Sequence, residues 1–199
     1  MNDIGIFLDR DGTINEELEF ISSPDEVKLI PRSAEAIREA NQMGLKVFVI
    51  TNQSGIARGF IKEDQLTAVH NTLVELLNKE GAHLDAIYFC PHHPEYGEPP
   101  YRMECECRKP NSGMLRQAEK EFGINLKKSF VVGDRIIDVQ TAHAVGAVGI
   151  LVKTGYGKFQ IEEIQKSNIK IDYIAEDLYD AIQFIKNKIK SDKHNDEKN

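Results

Sequence analysis

The sequence predicts an α/β domain built on a parallel β-sheet with helices on both faces. Five short runs, rich in β-branched and aromatic residues, predict strands at 4–9, 46–51, 85–90, 129–133 and 147–152. These runs are apolar almost throughout rather than at alternate positions, as expected of parallel strands buried on both faces. Segments with helical spacing separate them. Strands that alternate with helices in this way favour a doubly wound, Rossmann-like sheet.

Helical periodicity supports the segments between the strands. Apolar residues recur every three or four positions in two of them: Ala34, Ile37 and Ala40 after Pro31, and Leu66, Val69, Leu73 and Leu77 ahead of Gly81. Two further helices are predicted near 112–122 and 138–145. The chain then predicts an edge strand at 171–174 and a closing helix at 178–189.

The length of 199 residues suits one domain with a well-buried core. We assign residues 1–187 to this domain and expect the polar residues 188–199 to form a disordered tail. No large insertion follows the first strand or falls at 81–84, so the sequence predicts no separate cap domain. Instead, we expect short loops to cover the binding edge of the sheet, at 14–24, 56–60 and 91–111.

Composition and charge limit the partners. The chain is 41% hydrophobic and 29% charged, and no apolar run approaches the roughly 20 residues of a membrane helix. Its first residues carry no basic leader before an apolar run, so the predicted location is the cytoplasm. Acidic residues outnumber basic ones 32 to 25, and the net charge of -7 disfavours nucleic acid. We expect a monomer whose substrate is a small anion met by local cations: Arg58, Arg102, Arg108, Lys109, Arg135 and Lys153.

The segment FLDRDGT places two carboxylates directly after the first strand. Asp9 would be held by the sheet and, beside a divalent cation and a phosphate, could attack phosphorus as a covalent nucleophile. Asp11 could protonate the leaving oxygen and later take a proton from water. The alternative for the isolated motif is a simple Asp–x–Asp–Gly turn, because these residues are common in turns.

Polar groups also follow the other predicted strands, where parallel strands present ligands. Thr51 and Asn52 could hydrogen-bond phosphate oxygens, and Asp134 could complete an oxygen-only magnesium site with Asp9. Two cations, Arg108 and Lys109, precede the helix near 112–122 and could clamp a phosphoryl group. Each could separately be a cap, a turn or a solvated charge, but their coincidence at four strand ends favours phosphoryl transfer.

Three cysteines and a histidine in one long loop predict a zinc site. An odd, clustered set of cysteines argues against a disulfide framework, whereas three thiolates and an imidazole suit tetrahedral zinc. The candidate ligands are Cys90, Cys105 and Cys107, with either His92 or His93 as the imidazole. A filled site leaves no position for water, so zinc would be structural and would pin the loop before Arg108 and Lys109. The alternative is three reduced cysteines without metal.

The segments FLDRDGTIN, VITNQSGIARG, CPHHPE, CECRKP and VVGDRIID resemble the haloacid dehalogenase superfamily of phosphatases. Within it they are most similar to the bacterial D,D-heptose 1,7-bisphosphate phosphatases and the related histidinol phosphatases. The resemblance covers about residues 6–155. It implies a Mg²⁺-dependent enzyme with structural Zn²⁺, in which His92 rather than His93 is the zinc ligand. Arg135 stands where relatives carry Lys, so the resemblance assigns it no role.

The resemblance also implies residue roles. Asp9 would be the nucleophile and Asp11 the general acid and base. Thr51 and Lys109 would bind the phosphate, and Asn52 and Arg108 would contact substrate. Magnesium would lie among Asp9, Asp134 and the carbonyl of Asp11. Dehalogenases of the superfamily need neither Asp11 nor Asp134, so the presence of both argues against dehalogenation.

The implied reaction is hydrolysis of the C7 phosphate of a heptose 1,7-bisphosphate through an aspartyl phosphate, giving heptose 1-phosphate. Histidinol phosphate is the alternative substrate for the same site. A nucleic-acid 3′-phosphatase shares the Thr–Asn–Gln motif, but the net charge disfavours it. The rival from another class is a non-catalytic, zinc-stabilised binding protein. The retained set of charged and polar groups argues against that rival: Asp9, Asp11, Thr51, Lys109 and Asp134.

Overall fold

The computed structural model describes residues 3–164 and 169–196 and has the predicted doubly wound α/β fold. The strands are β1 (Gly5–Leu8), β2 (Lys46–Asn52), β3 (Ala86–Cys90), β4 (Phe130–Gly133), β5 (Val148–Val152) and β6 (Tyr173–Ala175). The helices are α1 (Ser33–Gln42), α2 (Glu63–Lys79), α3 (Gly113–Phe122), α4 (Ile136–His143), α5 (Gly157–Ile164) and α6 (Leu178–Asp196).

The six strands form one parallel sheet in the order β3-β2-β1-β4-β5-β6. The chain builds outward from β1 to β3 on one side and then returns to build β4 to β6 on the other. The strand order therefore reverses beside β1, and in such sheets ligands bind beyond the carboxyl ends of the strands at this point. Those ends belong to β1, β2 and β4, as the sequence predicted.

Both faces of the sheet are covered, because successive side chains of a strand point to opposite faces. Ile6 and Leu8 of β1 pack in a core with α1, α2 and α6. Phe7, between them, packs in a second core with α3 and α4. In that second core, Phe7 stacks on Phe48 with ring centroids 5.1 Å apart. The nearly continuous apolar character of the strands follows from this double burial.

Two helices differ from the prediction. Helix α5 was not predicted, because its sequence offers few apolar positions. In the structure its Phe159 is 71% exposed. Helix α6 continues to Asp196, so residues 190–196 are helical beyond the predicted helix end at 189, where a disordered tail was expected. Ile189, at that predicted end, packs against the first core. Residues 197–199 lie outside the described residues.

The predicted absence of a cap domain agrees with the segments that follow the strands. Between β1 and α1 the structure has only a 3-10 turn at Pro24–Glu26, and between α2 and β3 it has a short connection. Among the helices that the structure describes, none combines the length and the apolar character needed to cross a bilayer.

Phe48→Ala should lower the free energy of unfolding by about 3–5 kcal/mol, because Phe48 is fully buried and its removal leaves a cavity. Phe159→Ala is the matched control and should change stability by less than about 0.5 kcal/mol. Urea denaturation of both variants measures the difference. Equal losses would contradict the described second core.

Candidate active site and metal cluster

A buried lysine contacts three elements of the fold: the end of β1, strand β2 and the first turn of α4. Lys109 Nζ lies 2.9 Å from Asp9 Oδ1 and 2.6 Å from Asp138 Oδ1, and it donates to the carbonyl of Ile50 at 2.9 Å. Burial alone would lower the pKa of Lys109, but the charges of Asp138 and Asp9 raise it. The ammonium group therefore stays charged although the residue is only 3% exposed.

Three carboxylates crowd together beside this lysine. Oxygens of Asp9, Asp134 and Asp138 lie within 4.8 Å of one another. Burial, followed by the charges of Asp9 and Asp138, raises the pKa of Asp134 to about 8. Burial also raises the pKa of Asp9 to about 6, although Lys109 opposes that shift. Asp134 Oδ1 is buried and has no hydrogen-bond partner in the described part of the chain. Excess negative charge and an unpaired oxygen fit a divalent cation that prefers oxygen ligands, such as Mg²⁺.

Two glycines allow the backbone to close around Asp134. Gly12 and Gly155 have φ values of +76° and +54°, and a Cβ at either would lie 2.2 Å from Asp134 Oδ2. The N–H of Tyr156 donates to the same oxygen at 2.8 Å. These contacts fix the carboxylate and leave Oδ1 as its unpaired atom. A side chain at either glycine would fill the space that Asp134 occupies.

Asp138 is a site residue that the sequence analysis missed. It lies four residues after Asp134, in the first turn of α4, where an acidic residue is readily explained as a helix N-terminal charge. Its Oδ2 accepts the N–H of Arg135 at 3.0 Å, while Oδ1 faces Lys109. A Cβ at Gly133 would lie 2.1 Å from Asp138 Oδ2, so the glycine allows this close approach. The available signal was the spacing in GDRIID.

Asp11 lies at the same edge with both carboxylate oxygens occupied by donors. Its Oδ1 accepts from Arg10 Nε and Asn15 Nδ2, each at 2.9 Å. Its Oδ2 accepts from Arg10 Nη2 at 2.6 Å and Gln53 Nε2 at 3.0 Å. Burial alone would raise the pKa of Asp11, but the charge of Arg10 and these hydrogen bonds lower it. Asp11 is therefore ionised at neutral pH, in the form that accepts a proton.

The polar residues at the end of β2 face this edge. Thr51 is buried, and its Oγ1 accepts a hydrogen bond from Gln53 Nε2 at 2.8 Å. Asn52 Oδ1 accepts the N–H of Lys109 at 3.0 Å, and Asn52 Nδ2 donates to the carbonyl of Lys109 at 3.1 Å. Asn52 thus holds the Lys109 backbone, a contact that the sequence did not indicate. Its contact with substrate stays a prediction.

A cavity of about 400 Å³ lies over these groups. The predicted residues that line it are Asp9, Asp11, Thr51, Asn52, Arg108 and Lys109. Arg58 and Arg135 line it as well, and each guanidinium is stacked on a tyrosine: Arg58 lies 4.0 Å from the ring centroid of Tyr96, and Arg135 lies 4.1 Å from that of Tyr156. In residues 3–164 and 169–196, no salt bridge involves Arg58, Arg108 or Arg135. Three cations are thus available to an anionic ligand.

Two of the cations selected from sequence lie elsewhere. Arg102 is 3.8 Å from Glu98, and Lys153 is paired with Glu176. Neither of them lines the cavity. Arg108 is placed at the cavity by donating from Nη1 to the carbonyl of His92 at 3.1 Å, which joins it to the cysteine-rich loop.

The three cysteines and His92 converge on one point. The distances are 3.5 Å between the sulfurs of Cys90 and Cys105, and 3.3 Å between those of Cys105 and Cys107. His92 Nδ1 lies 3.7 Å from Cys90 Sγ and 3.4 Å from Cys107 Sγ. Tetrahedral zinc with Zn–S bonds of about 2.3 Å places its sulfur ligands about 3.8 Å apart, a little beyond the separations seen here, so the four residues are close enough to share one such ion.

His93 lies outside this cluster. Its Nδ1 accepts the N–H groups of Glu95 and Tyr96 at 3.1 and 3.2 Å, which occupies the nitrogen nearest the backbone. The ring is buried and packs on Tyr96 with centroids 4.6 Å apart. The geometry thus favours His92 as the imidazole that could bind zinc, in agreement with the choice that the resemblance implied.

Comparison with known proteins agrees with this geometry. A HAD-hydrolase-like family model matches residues 106–181. The D-glycero-beta-D-manno-heptose-1,7-bisphosphate 7-phosphatase of Photorhabdus laumondii is 40% identical over 183 residues, which cover 91% of this chain and 96% of the relative. The D-glycero-D-manno-heptose-1,7-bisphosphate 7-phosphatase of Chlorobaculum tepidum is 39% identical, with 89% and 91% covered.

A solved structure is similar over nearly the whole length. The D,D-heptose 1,7-bisphosphate phosphatase of B. bronchiseptica, complexed with magnesium and phosphate, aligns with a TM-score of 0.82 and 34% identity over 93% of this chain and 99% of that one. The chain belongs to the haloacid dehalogenase superfamily of hydrolases, within the family of D-glycero-D-manno-heptose 1,7-bisphosphate phosphatases. It is accordingly a phosphatase, a hydrolase of phosphoric monoesters.

His92→Ala should abolish zinc retention, whereas the matched variant His93→Ala should keep roughly one zinc per chain. The reason is that His92 Nδ1 faces the three sulfurs and His93 Nδ1 faces backbone N–H groups. Metal analysis of the purified variants measures this. Cys107→Ser should likewise lose zinc, lower the melting temperature and weaken activity, because the loop before Lys109 loosens. Full zinc content in His92→Ala would contradict the assignment.

Proposed function

We infer that the protein hydrolyses the C7 phosphate of D-glycero-D-manno-heptose 1,7-bisphosphate to give heptose 1-phosphate. The observation that carries this proposal is the convergence of Asp9, Lys109 and Asp134 below a cavity that also holds three guanidinium groups without a salt bridge in the described residues. The first three groups suit phosphoryl transfer, and the arginines suit a second anionic group on the same substrate. The names of the similar proteins support the same substrate.

Asp9 is the nucleophile in this proposal. Its Oδ1 accepts hydrogen bonds from the N–H of Arg10 at 2.8 Å and from Lys109 at 2.9 Å, which leaves Oδ2 for attack on phosphorus. A bond forms between Asp9 and phosphorus while the bond from phosphorus to the C7 oxygen breaks. The Thr51 hydroxyl would donate to a phosphoryl oxygen. The charge of Lys109 would balance that of the phosphoryl group, while its three ammonium hydrogens face Asp9, Asp138 and the carbonyl of Ile50.

Asp11 moves the protons. The approach of a phosphate dianion raises the pKa of Asp11, because a like charge disfavours ionisation. Asp11 then takes up a proton from solvent and gives it to the departing sugar oxygen. In the second step Asp11 takes a proton from water, the water oxygen binds phosphorus, and the Asp9 carboxylate is released with inorganic phosphate. The low pKa of Asp11 in the free protein suits this second step.

The metal ions have separate tasks. Asp9, Asp134 and the carbonyl of Asp11 would hold Mg²⁺, which supplies charge neutralisation for the transferred phosphoryl group. The unpaired, buried Asp134 Oδ1 supports this assignment. Cys90, His92, Cys105 and Cys107 would hold Zn²⁺ as a closed structural site, which fixes the loop that ends in Arg108 and Lys109.

The cavity also favours a bisphosphate over a monophosphate. Lys109 and the carboxylates account for the reacting phosphate, whereas Arg58, Arg108 and Arg135 remain for another anion. Stacking on Tyr96 and Tyr156 fixes two of these guanidinium planes in advance, so less side-chain entropy is lost on binding. A sugar that carries phosphate at both ends uses all of these groups.

Histidinol phosphate is the second candidate because Glu17 and Glu19 also line the cavity. Either carboxylate could accept a cationic amine. Burial and the charge of Asp11 raise the pKa of Glu17 to about 7, so this carboxylate is poorly compensated in the free protein. The three arginines oppose a cationic ligand, and for this reason we rank the heptose bisphosphate first.

Phosphate release should be fastest from one anomer of D-glycero-D-manno-heptose 1,7-bisphosphate and slower from histidinol phosphate. Asp9→Asn should lower kcat/KM by at least about 10³-fold, because the amide cannot act as the nucleophile. The assay uses magnesium, both anomers and the Asp9→Asn variant as blank. Residual activity above that limit in the variant would refute the covalent mechanism. Absence of release by the natural chain would favour the non-catalytic binding protein.

Arg58→Met should raise KM for the heptose bisphosphate by about 10-fold, because one charge-assisted hydrogen bond to the second phosphate is lost. KM for p-nitrophenyl phosphate, which has one phosphate, should stay within about 2-fold. Arg102→Met is the matched control, since Arg102 is a cation outside the cavity. Equal changes with both substrates would remove Arg58 from the proposed second-phosphate site.

A further inference from the structure

The side chain of Gln53 lies between two residues of the proposed reaction. Gln53 follows β2, is 5% exposed and lines the cavity. Its backbone N–H donates to the carbonyl of Cys90 at 2.8 Å, which fixes its position at the end of the sheet. Its Nε2 is 3.0 Å from Asp11 Oδ2 and 2.8 Å from Thr51 Oγ1. One amide nitrogen thus contacts both side chains.

The chemistry of the neighbours determines which end of the Gln53 amide faces them. An ionised carboxylate only accepts hydrogen bonds, so the group beside Asp11 must be the NH₂. One hydrogen of this NH₂ is donated to Asp11 and the other to Thr51. Because Thr51 Oγ1 accepts from Gln53, the hydroxyl hydrogen of Thr51 is free to point elsewhere and to donate to a phosphate oxygen.

Gln53 differs from the other donors to Asp11. Arg10 and Asn15 are each 1% exposed, and neither is among the residues that line the cavity. Gln53 does line it, so it is the donor on the substrate side of the Asp11 carboxylate. The oxygen that it contacts, Oδ2, also accepts from Arg10, so a buried donor and a cavity donor share this atom.

We propose that Gln53 is a positioning residue that joins the acid–base carboxylate of Asp11 and the phosphate-binding hydroxyl of Thr51 into one hydrogen-bonded unit. This inference rests on the proposed phosphatase reaction. Gln53 makes no bond to the transferred group. It acts by holding Asp11 at the angle needed to protonate the leaving oxygen and by directing the Thr51 hydrogen towards phosphate.

This role predicts an effect that depends on the leaving group. The sugar alkoxide of heptose 1,7-bisphosphate needs a proton to depart, whereas p-nitrophenolate is stable as an anion. Gln53→Met keeps the length of the side chain and removes both donors. It should lower kcat/KM for the heptose bisphosphate by about 10- to 100-fold, part of the 10²–10⁴ that general acid–base catalysis supplies. For p-nitrophenyl phosphate the loss should stay below about 5-fold.

Two more variants separate positioning from a structural role. Gln53→Glu keeps the shape but faces Asp11 with an acceptor, so it should show the same selective loss. In an Asp11→Asn background, Gln53→Met should cause no further leaving-group discrimination, because the residue through which it acts is gone. Melting temperatures of all variants test for an intact fold.

The outcomes are distinguishable. A selective loss with the sugar phosphate, absent in the Asp11→Asn background, supports the proposal. Equal losses with both substrates, or full activity of Gln53→Met and Gln53→Glu, would overturn it while leaving the phosphatase function intact. If the natural chain releases phosphate from neither substrate, the proposed function fails and this inference fails with it.

Discussion

The buried ion pairs of Lys109 are the interaction on which the site depends. One ammonium group faces Asp9 and Asp138, and Asp134 adds a third buried carboxylate beside them. Loss of one member of such a pair leaves a buried charge without compensation, which typically costs about 3–5 kcal/mol. With all three carboxylates ionised, the cluster exceeds the lysine by two negative charges, which a divalent cation would balance. Charge balance therefore links the lysine to the proposed magnesium.

Lys109 comes from a loop rather than from the sheet, and several contacts compensate for this origin. Residues 91–112 contain no helix or strand, yet the potential zinc ligands lie at both ends of the segment. Cys107 is separated from Lys109 by one residue. Asn52 binds both the backbone N–H and the backbone carbonyl of Lys109. The cluster of cysteines with His92 and the end of β2 thus take the place of the secondary structure that normally positions a side chain of this kind.

The sequence was sufficient for the sheet and for residues fixed by strand ends. Asp9 and Asp134 directly follow buried strands and Thr51 is the last residue but one of β2, and parallel strands present their carboxyl ends at one edge. Asp138 and Gln53 could not be assigned in this way, because their roles depend on side-chain rotamers and on neighbours distant in the chain. The helical extension beyond residue 189 was also missed, because a polar composition alone does not distinguish a solvated helix from a disordered tail.

Local charge, rather than the charge of the whole chain, explains how an acidic protein can attract a bisphosphate. The net charge is -7, yet the cavity gathers Arg58, Arg108, Lys109 and Arg135. Four carboxylates, those of Asp9, Asp11, Glu17 and Glu19, line the same cavity, so its formal charges balance while the chain as a whole is acidic. A cleft with walls of low dielectric concentrates the field of its charges, so an anion would meet the guanidinium groups with less repulsion here than at the remaining surface. Each guanidinium is held by a tyrosine ring or a backbone carbonyl, so these side chains are ordered before substrate binds. Preorganisation of this kind directs binding energy towards the phosphoryl group instead of towards rearranging flexible side chains.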